Sequence, residues 1–193
     1  MTAGLLLAAG AGSRFGGPKA LVHYRGELLV HRGRRLLTEG GCTPVVVVLG
    51  AQAEQVMVTA ELDDCVLALD WETGMGASLR TGLAALAHRD ADACVVALAD
   101  QPLIGPGAVV RLREAHAAGA IAAVATYAGK QRNPVLLDRS TWDAVALAAV
   151  GDTGARPWLR ANPELVTDVP CDGTGSPFDV DTPDDLAAME ASR

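Results

Sequence analysis

Two short segments of the sequence combine residue types that bind and activate phosphate groups. Residues 9–19 read AGAGSRFGGPK, a glycine-rich loop that contains Arg14 and Lys19. Glycine lets backbone amides approach a phosphate closely, and the two basic side chains add positive charge. Residues 99–102 read ADQP, and Asp100 is the kind of carboxylate that holds Mg²⁺ together with substrate phosphates. The two segments predict a metal-assisted phosphate site, with a structural turn and a helix-capping Asp100 as the alternatives.

The composition narrows the classes of partner. The 193 residues include 16 Lys and Arg against 23 Asp and Glu, a net charge of −7, which is the wrong sign for a nucleic-acid-binding protein. The lysines are only Lys19 and Lys130, so one of the two lies in the glycine-rich loop. No segment reaches the roughly 20 apolar residues of a membrane span. We therefore expect neither nucleic acid nor a membrane as a partner.

The N-terminus and the cysteines favour a cytoplasmic protein. The apolar residues 5–9 lack the basic flank and cleavage site of a signal peptide. The four cysteines have neither zinc-site nor disulfide-framework spacing, as expected for free thiols in a reducing compartment.

Hydrophobic patterning predicts an α/β fold. Four short apolar runs, at residues 4–8, 45–49, 66–69 and 93–99, are each followed by a helical pattern. Such runs are typical of a mostly parallel sheet covered on both faces, a three-layer Rossmann-like architecture. Residues 121–127 and 134–137 predict a small antiparallel insertion, and Thr182 with Pro183 begins a terminal helix. The length fits a single domain, 1–193.

Two familiar phosphate loops do not match residues 9–19. In a dinucleotide-binding fold the third glycine would come one residue earlier than Gly16, and an acidic residue would follow the second strand, where residues 49–52 read LGAQ. In a Walker A loop glycine directly precedes lysine, whereas Pro18 separates Gly17 from Lys19.

Residues 7–19, LAAGAGSRFGGPK, resemble the signature of the MobA-like nucleotidyltransferases, and in particular of the molybdenum cofactor cytidylyltransferases. Segments similar to other family motifs follow in the family's order, at residues 71–80, 99–102, 151–156 and 178–186. The resemblance implies a nucleotidyltransferase fold and Mg²⁺-dependent transfer of CMP from CTP to the phosphate of a molybdopterin-type cofactor, with release of pyrophosphate. Guanylyl transfer and another phosphorylated acceptor stay open.

The resemblance also implies roles for individual residues and divides the chain into a nucleotide-binding part, about 1–119, and an acceptor-binding part, about 120–193. The catalytic residues would be Arg14, Lys19 and Asp100. The nucleotide-binding residues would be Ala8, Ala9, Gly10, Gly12, Ser13, Arg14, Lys19, Gly74 and Ser78. The metal ligands would be Asp100 with Asp179 or Asp181, which point to the same face if they lie on a strand. The acceptor would contact Arg132, Asn133, Asp152 and Arg156.

One departure from the family pattern concerns the acceptor. The family's Gly-His-Pro is Arg132-Asn133-Pro134 here, and Asn133 cannot carry a proton at neutral pH. Two rivals from other classes are a nicotinamide-dependent oxidoreductase and a non-catalytic nucleotide-binding protein that delivers a cofactor. The resemblance implies transient contact with a molybdenum enzyme.

Overall fold

The computed structural model describes residues 1–191. The strands are β1 Thr2–Leu7, β2 His23–Tyr24, β3 Glu27–Leu28, β4 Val45–Leu49, β5 Cys65–Leu67, β6 Ala93–Leu98, β7 Ala122–Tyr127, β8 Lys130–Asp138 and β9 Val166–Pro170. The helices are α1 Leu29–Glu39, α2 Ala53–Thr59, α3 Met75–Ala87, α4 Pro106–Ala117, α5 Trp142–Ala148, α6 Arg156–Ala161 and α7 Pro183–Ala191. No described helix is long and apolar enough to cross a membrane.

A seven-stranded, mostly parallel sheet forms the centre of the molecule, in the order β5-β4-β1-β6-β8-β7-β9. Strand β1 pairs in parallel with β4 on one side and with β6 on the other. Its residues from Ala3 to Leu7 are all buried, because both faces of the strand are covered. The predicted α/β class is confirmed, and the loops after β1 and β6 leave the sheet at the same edge.

Strand β8 forms the predicted antiparallel hairpin with β7 and also pairs antiparallel with β6, so the hairpin is built into the main sheet. The ladder with β7 passes from Val135 opposite Val124 to Arg132 opposite Ala125, which leaves Asn133 and Pro134 as extra residues in a bulge. Proline lacks an N–H and is tolerated inside a sheet only at such a place. The bulge lies just beyond the residues of β8 that pair with β6.

Strand β9 was not among the strands that hydrophobic patterning predicted. It pairs in parallel with β7 at the edge of the sheet. Its segment, VTDVP, is mostly exposed and lacks the apolar run by which the other parallel strands were recognised. Edge strands of this kind give a weak hydrophobic signal.

Two apolar clusters cover the two faces of the sheet. On one face Leu37 of α1 and Leu112 of α4 are fully buried, and on the other Leu86 of α3 and Val145 of α5 are fully buried. These are the predicted outer layers. A third cluster holds α7 against the rest of the chain through Met189 and Val180. All four cysteines are free thiols, and Cys94 lies fully buried.

Candidate active site

The glycine-rich loop after β1 folds back on itself. Gly12 has φ +57°, and a Cβ atom there would lie 2.1 Å from the carbonyl oxygen of Gly17, so only glycine fits. This close turn precedes the short helical turn Lys19–Leu21. It brings the Lys19 side chain to the carboxyl edge of the sheet.

Lys19 lies between two carboxylates from distant parts of the chain. Its Nζ donates to Asp100 Oδ2 at 3.1 Å and to Asp181 Oδ1 at 2.5 Å. Burial alone would lower the pKa of Lys19, but the hydrogen bonds and charges of Asp181 and Asp100 outweigh it and raise the pKa. The ammonium group is therefore charged at neutral pH and joins the loop after β1 to the loop after β6.

Asp100 has one oxygen that this contact leaves unused. Its Oδ1 is buried and has no hydrogen-bond partner among the residues that the structure describes. The Asp100 backbone oxygen accepts from Val180 N at 2.8 Å, which brings the C-terminal segment over the site. A buried carboxylate oxygen without a donor is costly unless a ligand or ion completes it.

Asp179 is held by a neighbour of Asp100. Gln101 Nε2 donates to Asp179 Oδ1 at 2.8 Å, and Gln101 itself is only 5% exposed. Burial raises the pKa of Asp179, the hydrogen bond from Gln101 opposes this, and the charges of Asp100 and Asp181 raise it further. Residues 176–181 form no strand, so the condition under which Asp179 and Asp181 would share a face is not met. The two carboxylates instead have different partners.

These carboxylates fit a divalent cation that arrives with its substrate. Within residues 1–191, no cluster of three or more His, Cys, Asp or Glu side chains could by itself hold a metal. Mg²⁺ does not need one, because it commonly binds one or two carboxylates together with waters and substrate phosphates. The unused Oδ1 of Asp100 is a suitable oxygen ligand, and Asp179 and Asp181 lie beside it in the same cavity wall.

A first cavity, of about 310 Å³, opens at the carboxyl edge of the sheet beside Lys19 and Asp100. We refer to it as the nucleotide cavity. The predicted nucleotide-site residues that line it are Ala8, Ala9, Gly10, Lys19, Gly74 and Ser78. The structure does not place Gly12, Ser13 or Arg14 in its wall; Ser13 and Arg14 lie on the exposed turn Ser13–Phe15. Trp71 and Met75 also line this cavity.

A second cavity, of about 720 Å³, adjoins the first and is called the acceptor cavity below. All four predicted acceptor residues line it, namely Arg132, Asn133, Asp152 and Arg156, together with Asp100, Asp179 and Asp181. Asp100 and Asp152 lie in the walls of both cavities. Residues before position 120, such as Leu79 and Val96, complete the wall, so both halves of the chain form this cavity.

Gln101 and Asp185 are among the residues of the acceptor-cavity wall that were not assigned to the site from the sequence. Gln101 stands next to Asp100 in the quoted ADQP segment, and its burial beside Asp179 is the contact that gives it importance. Asp185 lies in the first turn of the terminal helix and also lines the acceptor cavity. The sequence signal for Gln101 is its position: it is a polar residue that directly follows Asp100, just after the end of β6.

The sequence pattern of the MobA-like NTP transferase domain matches residues 4–166. The chain belongs to this family of nucleotidyltransferases. Lys19, Asp100 and Asp152 fall within the matched range, whereas Asp179 and Asp181 lie beyond it.

Among characterised relatives, the chain is 42% identical over 189 residues to nicotine blue oxidoreductase of Paenarthrobacter nicotinovorans, an alignment covering 93% of this chain and 91% of the relative. The fold matches the crystal structure of Rv0371c from Mycobacterium tuberculosis with a TM-score of 0.87, 31% identity, and 99% and 97% of the two chains covered. The manganese complex of that protein matches with a TM-score of 0.81, 28% identity, and 100% and 99% covered.

Proposed function

We propose that this chain is a Mg²⁺-dependent nucleotidyltransferase that transfers CMP from CTP to the terminal phosphate of a molybdopterin-type acceptor. The observation that carries the proposal is the meeting of the two cavities at Asp100, beside the ammonium group of Lys19. A nucleotide in one cavity and an acceptor in the other would place their phosphates next to the same carboxylate. In this proposal the whole chain is one functional unit, with the nucleotide part within about 1–119 and acceptor contacts mainly within about 120–193.

The reaction joins an acceptor phosphate oxygen to the α-phosphorus of the nucleotide. The bond between the α-phosphorus and the bridging oxygen to the β-phosphate breaks, and pyrophosphate leaves with that electron pair. The acceptor phosphate is already an anion at neutral pH, so no strong general base is needed. Catalysis then rests on positioning and charge stabilisation.

The chain's own residues supply the positive charge and the metal ligands. Backbone amides of residues 8–12 and the Lys19 ammonium would bind the β- and γ-phosphates, and Arg14 on the exposed turn would reach a triphosphate extending from the cavity. Asp100 Oδ1, with Asp179 or Asp181, would hold Mg²⁺. When bound, the ion supplies charge neutralisation at the α-phosphate. The manganese complex of the Mycobacterium tuberculosis relative supports divalent metal binding at this fold.

The acidic wall would make a cation necessary in this proposal. Asp100 and Asp181 would repel a triphosphate, and the basic side chain that lines the nucleotide cavity is Lys19. A divalent ion held by these carboxylates would offset this repulsion. On the acceptor side Arg132 and Arg156 provide charge for an anionic group, and Asn133 provides a neutral hydrogen-bond donor.

A second candidate is an oxidoreductase, favoured by the 42% identity to nicotine blue oxidoreductase. In that case a nicotinamide dinucleotide would occupy the nucleotide cavity, and an electron acceptor would occupy the larger one. Hydride transfer makes no use of the unpartnered Asp100 Oδ1, which is why we favour nucleotidyl transfer. A guanylyltransferase and a non-catalytic carrier that binds CTP are the remaining alternatives.

Two measurements on the purified chain separate these functions. The first is thermal stabilisation by CTP, GTP, ATP and UTP, each with Mg²⁺ and with excess EDTA, beside NADH and NADPH without metal. The second is pyrophosphate release from the stabilising nucleotide after a molybdopterin acceptor is added. We expect metal-dependent stabilisation by CTP and acceptor-dependent release. Stabilisation by a reduced nicotinamide dinucleotide alone would refute the proposal, and CTP binding without turnover would indicate a carrier.

A further inference from the structure

The loop after α5 is packed around the first turn of α3. Arg80 of α3 donates from Nη1 to the carbonyl oxygen of Ala149 and from Nη2 to Asp70 Oδ2. The Cβ of a residue replacing Gly154 would lie 3.1 Å from the sulfur of Met75. Residues 149–154 therefore contact the helix that carries Ser78 into the nucleotide cavity.

Asp152 makes the polar contact of this loop with the start of the helix. Its Oδ1 accepts from the backbone N–H of Met75 at 3.2 Å. Met75 is the first residue of α3, and the N-cap residue, Gly74, has no side chain to satisfy the free N–H groups of the first turn. Asp152 thus satisfies one of these free N–H groups, that of the first helical residue, Met75.

Gly74 cannot provide its own cap because the Asp152 loop occupies the space. Gly74 has φ +113°, and a Cβ atom there would lie 2.4 Å from the carbonyl carbon of Gly151 and 2.7 Å from Asp152 Oδ1. The close approach and the hydrogen bond belong to one arrangement, in which the loop fills the space beside Gly74 and Asp152 supplies the oxygen that accepts from the Met75 N–H. Movement of Asp152 would therefore leave the Met75 N–H without this acceptor.

We propose that Asp152 is a positioning residue for the nucleotide site, and that its hydrogen bond to Met75 fixes the helix start that carries Gly74 and Ser78. This inference rests on the proposed function, because it takes the nucleotide cavity to bind an NTP. It differs from the acceptor contact that the family resemblance implies for Asp152. In this role Asp152, which lines both cavities, is held by its hydrogen bond to Met75, a residue that also lines the nucleotide cavity.

The oxygen atom of Asp152, rather than its charge, is what this role requires, and that gives a sharp test. Asp152→Ala removes the acceptor of the Met75 N–H, whereas Asp152→Asn keeps an Oδ1 at the same place. We expect the Kd for CTP with Mg²⁺, measured by calorimetry without an acceptor, to rise about five-fold in Asp152→Ala, as for loss of one N-cap. Asp152→Asn should bind within about two-fold of the unsubstituted protein. Asp143→Ala, an exposed acid on α5 outside both cavities, is the matched control.

Hydrogen exchange gives a second readout that needs no ligand. The amide of Met75 should exchange faster in Asp152→Ala than in Asp152→Asn, with little change in β1 or β6. Unaltered CTP affinity in Asp152→Ala, or equal weakening by both substitutions, would overturn the role of the hydrogen bond. If the unsubstituted protein binds no NTP, the proposed function fails and this role fails with it. Unaltered exchange at Met75 would instead refute the capping contact alone.

Discussion

Lys19 and Asp181 are separated by 162 positions in the sequence, yet Lys19 Nζ lies 2.5 Å from Asp181 Oδ1. The same ammonium group contacts Asp100, so the glycine-rich loop, the end of β6 and the C-terminal segment meet at one nitrogen. Each of these segments is a loop at the carboxyl edge of a mostly parallel sheet, the usual place for ligands in open α/β folds. The contact defines where a triphosphate would be neutralised.

Replacing Lys19 by methionine should reduce pyrophosphate release about 10²- to 10³-fold, the usual loss when one preorganised donor is removed from a developing charge. The side chain keeps a similar length but loses its ammonium group. Lys130→Met is the matched control, since Lys130 lies at the exposed start of β8 and outside both cavities. Steady-state rates with saturating Mg²⁺ measure the effect. A rate for Lys19→Met equal to that of the control would contradict a phosphate role.

Asp100→Asn should abolish the dependence of CTP binding on Mg²⁺. An asparagine keeps the shape of the side chain, and the backbone oxygen that accepts from Val180 is unchanged. The neutral amide is a much poorer ligand for a hard cation than a carboxylate. Titration of Mg²⁺ into the CTP-bound protein should show the loss, while Asp143→Asn should titrate normally. Retention of metal-dependent turnover would exclude Asp100 as a ligand.

Gln101→Leu should move the acid limb of the activity profile to higher pH. Burial raises the pKa of Asp179, and the hydrogen bond from Gln101 lowers it, so removal of that bond leaves the pKa higher still. Asp179 would then be protonated over more of the acid range and would bind Mg²⁺ less well there. Rate profiles measured from neutral pH down through the acid range should show the shift, with Gln55→Leu on α2 as the control. A profile that does not shift would mean that Asp179 does not bind in its ionised form.

Asp179→Asn should stabilise the fold at neutral pH while impairing metal-dependent activity. The pKa of Asp179 is raised in the folded state, so the ionised carboxylate destabilises the fold above that pKa. Lowering the pH through the raised pKa protonates Asp179 and removes this cost. The difference in Tm between the variant and the unsubstituted protein should therefore be positive at pH 7 and shrink toward pH 4. A Tm that falls on substitution at pH 7 would contradict the sign.

Thr182→Ala should loosen the start of α7. Thr182 Oγ1 accepts from Asp185 N at 3.2 Å, and Asp185 Oδ2 accepts from Thr182 N at 2.8 Å, a reciprocal pair of capping bonds. Loss of such an N-cap costs about 1 kcal/mol, or roughly 2–4 °C in Tm for a chain of this size. Asp185 also accepts from the backbone N–H of Asp181, whose side chain contacts Lys19. Loosening the helix start should therefore lower CTP affinity as well. Thr182→Ser, which keeps the hydroxyl, should preserve both quantities.

The central part of the fold could be predicted because its strands are continuous apolar runs. Residues 45–49 were predicted as a strand and form β4, and the run from Ala93 becomes β6. The same criterion missed β9, which lies at the sheet edge and exposes Thr167 and Asp168. Edge position is a property of the assembled sheet, and a polar segment does not reveal it.

At the site, the sequence identified residues that come together in the structure, but it did not identify the contact partner of each one. Lys19 and Asp100 were both recognised as phosphate-site residues, and they are in contact. The choice between Asp179 and Asp181 stayed open, and the structure gives them different neighbours, Gln101 and Lys19. Two-residue spacing implies a shared face only on a strand, and residues 176–181 are irregular. The partners of Asp179 and Asp181 depend on tertiary contacts, which the alternation of side chains along a strand does not predict.

The C-terminal segment also sets when this site can exist during synthesis. Residues 1–100 already contain the glycine-rich loop and Asp100, but Asp179 and Asp181 come from the last tenth of the chain. At a translation rate of about 5–20 residues per second, Asp181 is added roughly 8–30 s after Lys19. A nascent chain would therefore have most of its sheet on the ribosome before it could coordinate a metal–nucleotide complex. Under the proposed function, ligand-dependent stabilisation would become available only after residues 179–181 have been synthesised.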